Sequence, residues 1–315
     1  MAQALPLAPL VAPAPLRRAR PLRSLTAPLL LVANANASGL VRHPAIVDAA
    51  ATLLRSSGAG VELRLTSGAD ELGELLSEAE RRVVLLGGDG TLHAAANVPG
   101  PKPELALLPA GRANNVARSL GIPTDLARAA RLAVEGTSRP LDGIVARAGD
   151  RRYVAVEGVS VGFHAIARSG YHGRNSADVR AAVRAGAGAL AGFHPLTVAV
   201  EVDGDAEVVR TGQLFVVNMP LYGPGLRVAP ADPADGLLDF VTIAVSGRRQ
   251  LAARLAQLRR GTHLGRPGVR HLRARRIRIA TGGSSPVVAD TTDLGSGAVD
   301  LTVARAAISL VGAPA

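Results

Sequence analysis

The run Val83-Val84-Leu85-Leu86-Gly87-Gly88-Asp89-Gly90-Thr91-Leu92 constrains this chain most: an apolar stretch ends in a glycine-rich turn holding one carboxylate and one hydroxyl. Four consecutive apolar residues suit a strand buried on both faces, as in a parallel sheet, and such sheets bind ligands beyond the carboxyl ends of their strands. Asp89 falls at that edge. Lacking a Cβ, Gly87, Gly88 and Gly90 let the backbone take positive φ and approach a polyphosphate closely, its N–H groups converging on the oxygens. Thr91 is expected to open the next helix, whose amino end favours anions. The same residues also suit a tight strand-to-helix turn with a capping aspartate.

With 315 residues, 48% of them hydrophobic, the chain is long enough for a large core and for about two domains. It has no cysteine, which excludes disulfides, thiolate metal sites and thiol nucleophiles. The net charge of +11 comes almost wholly from arginine, since Lys102 is the only lysine. That excess suits phosphorylated ligands, anionic lipid surfaces or nucleic acid. Aromatics make up only 2% and tryptophan is absent, so stacking platforms are few and nucleic acid is not expected as a partner. No apolar run reaches the roughly 18 residues of a membrane span, which predicts a soluble or peripheral protein; the missing cysteines leave the compartment open, and a cytoplasmic protein fits. Residues 1–26, rich in Pro, Ala and Arg, read as a disordered tail; a basic arm touching acidic lipid is the alternative.

From Leu29 the pattern alternates. Strands are expected at 29–33, 61–65, 83–86 and 105–108, with helices over 44–55, 69–81, from Thr91, over 113–120 and over 125–134. That is the signature of a parallel α/β layer. After about Leu141 come β-branched or alternating segments at 141–148, 153–159, 196–202, 213–217, 237–244, 277–281 and 299–303, bounded by Gly, Asp and Pro. They read as an antiparallel second domain, interrupted by helices over 176–190 and 248–260.

Three more constellations bear on chemistry. Asn34-Ala35-Asn36-Ala37-Ser38-Gly39 follows the first strand, so its amides and hydroxyl reach the same sheet edge, or cap the next helix. Leu108 to Arg118 follows the fourth strand and offers the Arg112 guanidinium and the Asn114 and Asn115 carboxamides, either to a nucleotide or as turn and cap. Asp232, Asp235 and Asp239 place three carboxylates in eight residues, which suits a hard cation or a solvated loop.

Taken in order, these segments resemble the diacylglycerol kinase catalytic-domain family, which includes bacterial diacylglycerol kinases, sphingosine kinases and related lipid kinases. Gly87 to Thr91 is similar to its nucleotide signature, Asn34 to Gly39 to its first loop and Leu108 to Pro123 to its second signature. Val159 to Phe163, Val217 to Gly225 and Asp235 to Asp239 fall in the family's order. The resemblance implies an α/β fold of two domains: a Rossmann-like three-layer nucleotide-binding domain (27–140 plus 304–315) and a β-sandwich-like lipid-substrate domain (141–303), with the site in the cleft. It implies ATP- and Mg²⁺-dependent phosphorylation of a lipid hydroxyl, that of diacylglycerol or a related alcohol, at an anionic membrane surface, and a possible homodimer. Asp89 and Asp290 are the implied catalytic carboxylates. Asn34, Asn36, Ser38, Thr66, Gly87, Gly88, Gly90, Thr91, His93, Gly111, Arg112 and Asn114 are the implied nucleotide-binding residues, and Asp232 and Asp235 surround a structural Mg²⁺. Phe163, His164, Tyr171 and Phe193 are candidates for the acceptor pocket or for core.

The chain also departs from the family pattern. Ala35 stands for a usual proline, Arg112 for a threonine and Asn115 for an aspartate. Asp290-Thr291-Thr292 stands where relatives have Asp-Gly-Glu, so the carboxylate proposed there as general base is a threonine hydroxyl at Thr292; Asp290 and Asp293 remain nearby. Two alternatives follow: a catalytically impaired member that binds nucleotide or lipid, and an NAD kinase.

Overall fold

The computed structural model describes residues 28–171, 179–283 and 285–312. The tail expected over 1–26 and the start of the helix expected from Ser176 lie outside the described residues. The first half runs β1 (Leu29–Asn34), α1 (Ser38–Arg42), α2 (Ile46–Ser56), β2 (Val61–Thr66), α3 (Ala69–Glu78), β3 (Val83–Gly87), α4 (Asp89–Asn97), β4 (Glu104–Pro109), α5 (Asn115–Ser119) and α6 (Leu126–Glu135). Its strands pair in parallel in the order β2-β1-β3-β4. β3 is buried throughout, as its unbroken apolar run requires. Successive side chains point to opposite faces: Val83 and Leu85 pack with Leu72, Leu92 and Val116 of α3, α4 and α5. Val84 and Leu86 pack with Leu54 of α2 and Ala130 of α6. The result is three layers, helix, sheet and helix.

The second half contains β5 (Ser138–Ala148), β6 (Arg151–Ala155), β7 (Gly158–Gly162), α7 (Phe163–Ser169), α8 (Val179–Ala191), β8 (Leu196–Val202), β9 (Asp205–Thr211), β10 (Gln213–Val217), β11 (Leu221–Tyr222) and β12 (Leu226–Arg227). It ends with β13 (Leu238–Ile243), α9 (Arg248–Arg260), β14 (Val269–Ala274), β15 (Arg276–Ala280), β16 (Val287–Ala289), β17 (Thr292–Asp293) and β18 (Ala298–Val311). Six strands form an antiparallel sheet, β14-β13-β10-β7-β16-β17. It faces strands of the other sheet across a common core, Val161, Leu214 and Phe240 against Ile144, Val198 and Ile277. That is a β-sandwich.

The two halves share one ten-stranded sheet because β18 belongs to both. Its first part pairs with β15 and β5, and its end, Ser309 and Leu310, runs parallel beside Glu104 and Leu105 of β4. A strand was expected only to Val303; β18 reaches Val311 through a bulge between Ala304 and Ile308. The single strand expected over 153–159 is two, β6 and β7. The break has a cause: the N–H groups of Val156, Glu157 and Gly158 leave the ladder to donate to the Asp290 carboxylate.

Candidate functional site

The glycine-rich turns after β3 and β4 meet at the carboxyl edge of the parallel strands. Gly88 and Gly111 are backbone to backbone: a Cβ on Gly111 would come within 2.6 Å of Gly88 Cα and of Asn114 Oδ1. None of Gly87, Gly88 and Gly90 takes the positive φ that their composition permits; close approach is what requires glycine at Gly87 and Gly88. A Cβ on Gly87 would strike the Thr91 hydroxyl. Gly90 differs, because a Cβ there would meet nothing within 4 Å. It is exposed above the first turn of α4, which begins at Asp89, two residues earlier than expected.

Asp89 ties the two turns together. Its Oδ2 accepts the Asn115 N–H at 3.0 Å and its Oδ1 the Val116 N–H at 3.0 Å, so the half-buried carboxylate caps α5 from the neighbouring turn. Asn114, in the left-handed region at φ 47°, accepts from Gly111 N at 2.9 Å and donates back to Gly111 O at 3.1 Å. Asn34 reaches the same place from β1, donating to Thr91 Oγ1 at 3.3 Å and accepting from Asn36 N at 2.9 Å. Asn36 donates to Ser67 O at 2.5 Å. Thr66 is buried at the end of β2, its carbonyl accepting from Ala35 N. Arg112 is exposed beside Gly111. Ser38 opens α1, and its side chain lies outside the described residues.

Beneath the turns lies a charged cluster. His93 Nε2 lies 3.0 Å from Glu157 Oε1 and 3.6 Å from Asp290 Oδ2, with all three groups buried. Burial alone would lower the imidazole; the carboxylates of Asp290 and Glu157, and beyond them Asp89, outweigh it and raise it to about 9. Burial pushes Glu157 up, His93 holding it down only in part. Glu157 Oε2 accepts from Asn115 Nδ2 at 2.7 Å, and Asn115 Nδ2 also donates to Gly223 O at 2.8 Å. Asp290, itself at φ 50°, accepts three backbone N–H groups at 2.8 to 3.0 Å. Its carboxylate is sealed from an acceptor hydroxyl, which alters the part expected of it. Asp293 points elsewhere, accepting from Ser169 Oγ at 2.5 Å.

Asp232 and Asp235, expected around a structural Mg²⁺, are exposed and turned to their own loop. Asp232 Oδ1 accepts from Ala234 N at 3.0 Å, Asp235 Oδ1 accepts from Leu237 N at 2.9 Å, and Asp235 Oδ2 pairs with Arg273. Among the described residues no group of three or more acids and histidines is arranged to hold a metal ion. A hard cation takes six to eight oxygens; three of the four carboxylate oxygens here already meet nitrogen donors and, among the described residues, no third acid or histidine joins them, so the residues do not fit the ion. Of the aromatic candidates, Phe193 is core. His164 Nδ1 lies 2.9 Å from Ser160 Oγ, and its ring packs on Tyr222 at 5.0 Å. Phe163 packs partly buried against the same core as Phe193, and Tyr171 lies under the Arg168 guanidinium.

Residues 28–146 match the diacylglycerol kinase catalytic domain, and residues 157–312 match the YegS C-terminal NAD kinase beta sandwich-like domain. The chain belongs to the diacylglycerol kinase catalytic-domain family. A probable lipid kinase YegS-like protein of Klebsiella pneumoniae is 38% identical over 109 residues, which is 32% of this chain and 36% of that relative. The chain thus matches about a third of that relative's length. A diacylglycerol kinase of Mycobacterium tuberculosis is 27% identical over 262 residues, 75% of this chain and 81% of that protein. A putative diacylglycerol kinase from Bacillus anthracis shares the fold, with a TM-score of 0.73 at 18% identity over 93% of this chain and 98% of that one.

Within this diacylglycerol kinase family member, Asn115 donates to a buried acid, Glu157. Sequence reasoning passed over Glu157 and Asp142, each a lone carboxylate inside an apolar strand pattern, and that contrast was the available signal.

Proposed function

We propose that this protein is an ATP-dependent lipid kinase that transfers the γ-phosphate of ATP to the hydroxyl of diacylglycerol or a related lipid alcohol. The observation that carries this reading is Gly90, a glycine that no protein contact requires, exposed on the first turn of α4 where two interlocked glycine turns meet. The polyphosphate lies there against the amino end of α4, with Asn34, Thr91 and Arg112 around it. ATP enters as its Mg²⁺ complex, the substrate form.

Phosphoryl transfer asks for positioning and charge stabilisation more than covalent chemistry. The lipid oxygen attacks the γ-phosphorus, the bond to the β-phosphate oxygen breaks and ADP leaves. Asp89 is the half-buried carboxylate at the turn, and each of its oxygens has spent one lone pair on an N–H. It takes the hydroxyl proton. Glu157 and His93 hold Asn115, and through it the start of α5, in place; they position and do not touch substrate. The acyl chains lie along the groove of about 470 Å³ between α7 and α8, lined by Ile166, Ala181, Ala185 and Ala189 with Arg184 at its edge.

A second reading, nucleotide binding without transfer, draws on the sealed Asp290 and on Thr292. One experiment separates them: transfer of labelled γ-phosphate into a total lipid extract, beside Asp89→Asn. The kinase reading expects a new phospholipid whose rate of formation falls about 10²–10⁴-fold in the variant, the span of a lost proton acceptor. No product, with ATP still raising the melting temperature, would establish the second reading.

A further inference from the structure

We propose that Arg305 is a built-in cation for the Asp232–Gly236 loop, its guanidinium tying the loop to Asp142 and making the loop independent of divalent ions. The centre of the arrangement is Asp142, whose side chain is 4% exposed. Its Oδ2 accepts from Arg305 Nη1 at 2.7 Å and from Gly236 N at 2.9 Å, and its Oδ1 accepts from Ala306 N at 3.0 Å. Three donors from two distant segments therefore converge on one carboxylate. Arg305 Nη1 also faces the loop carbonyl of Ala234 at 3.4 Å.

The backbone is shaped for this contact. Arg305 and Ala306 lie in the bulge of β18, and Ala306 has φ 49°, a left-handed conformation unfavourable for a residue with a Cβ. On the loop side Gly236 has φ 80°, and a Cβ there would strike the Arg305 guanidinium. The bulge brings the half-exposed arginine against the buried Asp142, and a glycine clears its path. Pro233 O accepts from Asp142 N at 2.6 Å, and three of the four oxygens of the two loop carboxylates accept from N–H groups or pair with Arg273.

The clasp also touches the cluster beneath the turns. Asn218 donates from Nδ2 to Asp142 O at 2.8 Å and from its backbone N to Glu157 O at 2.9 Å. A charge fixed at Arg305 thus orders the loop next to the break between β6 and β7 that holds Glu157.

The test is thermal unfolding without ATP or lipid, so its outcome does not depend on kinase activity. The wild-type melting temperature is expected to be the same in excess MgCl₂ and in EDTA. Arg305→Ala is expected to melt about 3–8 °C lower in EDTA and to regain part of that loss in MgCl₂, because removing the guanidinium frees the Asp142 carboxylate for an ion. A wild-type protein that EDTA destabilises and Mg²⁺ restores would overturn the proposal, and this arm needs no variant. So would an Arg305→Ala protein indifferent to Mg²⁺, which would reduce Arg305 to an ordinary ion pair.

Discussion

His93 carries a charge that the fold depends on. Its imidazole faces Glu157 and Asp290, with Asp89 farther off and Tyr153 held as a phenol by burial and by Asp290. A histidine raised to about 9 from the ordinary 6.5 stabilises the fold fully below the lower value, and that contribution is lost as pH rises through the upper one. The raised Glu157 acts with the same sign, favouring the protonated fold. Stability should therefore fall between about pH 6.5 and pH 9, by on the order of a few kcal/mol. Denaturant unfolding across that range should show the slope in wild type and a flatter profile in His93→Gln. A wild-type slope that survives the substitution would remove His93 as its source. At this scale Asp89 and the glycines were legible because their types announce a turn. The Asn115–Glu157 contact was not, because it joins residues 42 positions apart and no local pattern relates them.

The two glycine turns act as one element, and substitutions at their glycines should separate folding from ligand binding. Gly111→Ala forces a Cβ to within 2.6 Å of the Gly88 backbone and should cost about 1–3 kcal/mol, read as a lower melting temperature. Gly90→Ala meets open space on the first turn of α4, where alanine is the better helix former. Its melting temperature should match or slightly exceed that of wild type while its ATP affinity falls about tenfold, a loss of about 1.4 kcal/mol. Unchanged affinity, measured by titration calorimetry, would move the phosphate site away from Gly90. The strands and helices of the first half were readable because each apolar run packs on a regular layer. β18 was readable only to Val303, because its bulge interrupts the alternation at Arg305, where contact with Asp142 outweighs strand periodicity. Likewise β6 and β7 merged in the sequence, since nothing between Tyr153 and Val159 signals that Asp290 draws off three N–H groups.

Across the whole molecule the net charge of +11 has a directional component. No helix among the described residues is long and apolar enough to cross a membrane, and the proposed lipid kinase activity calls for a face that meets a lipid surface. α9 presents one. Eleven residues are about three turns, which sets Arg248 and Arg249 on the same side as Arg259 and Arg260. All four are exposed, while Leu251 and Leu258 anchor the opposite side in the core. Near an anionic bilayer each arginine contributes about 1 kcal/mol, within a Debye length of the surface. Replacing the four by alanine should therefore weaken co-sedimentation with phosphatidylserine-containing vesicles at least about tenfold, and added salt should weaken the wild type in the same way. Phosphorylation of a short-chain, monomeric diacylglycerol should persist in that variant, since its acceptor needs no bilayer. Equal vesicle binding by wild type and variant would place the membrane-facing side elsewhere on the molecule.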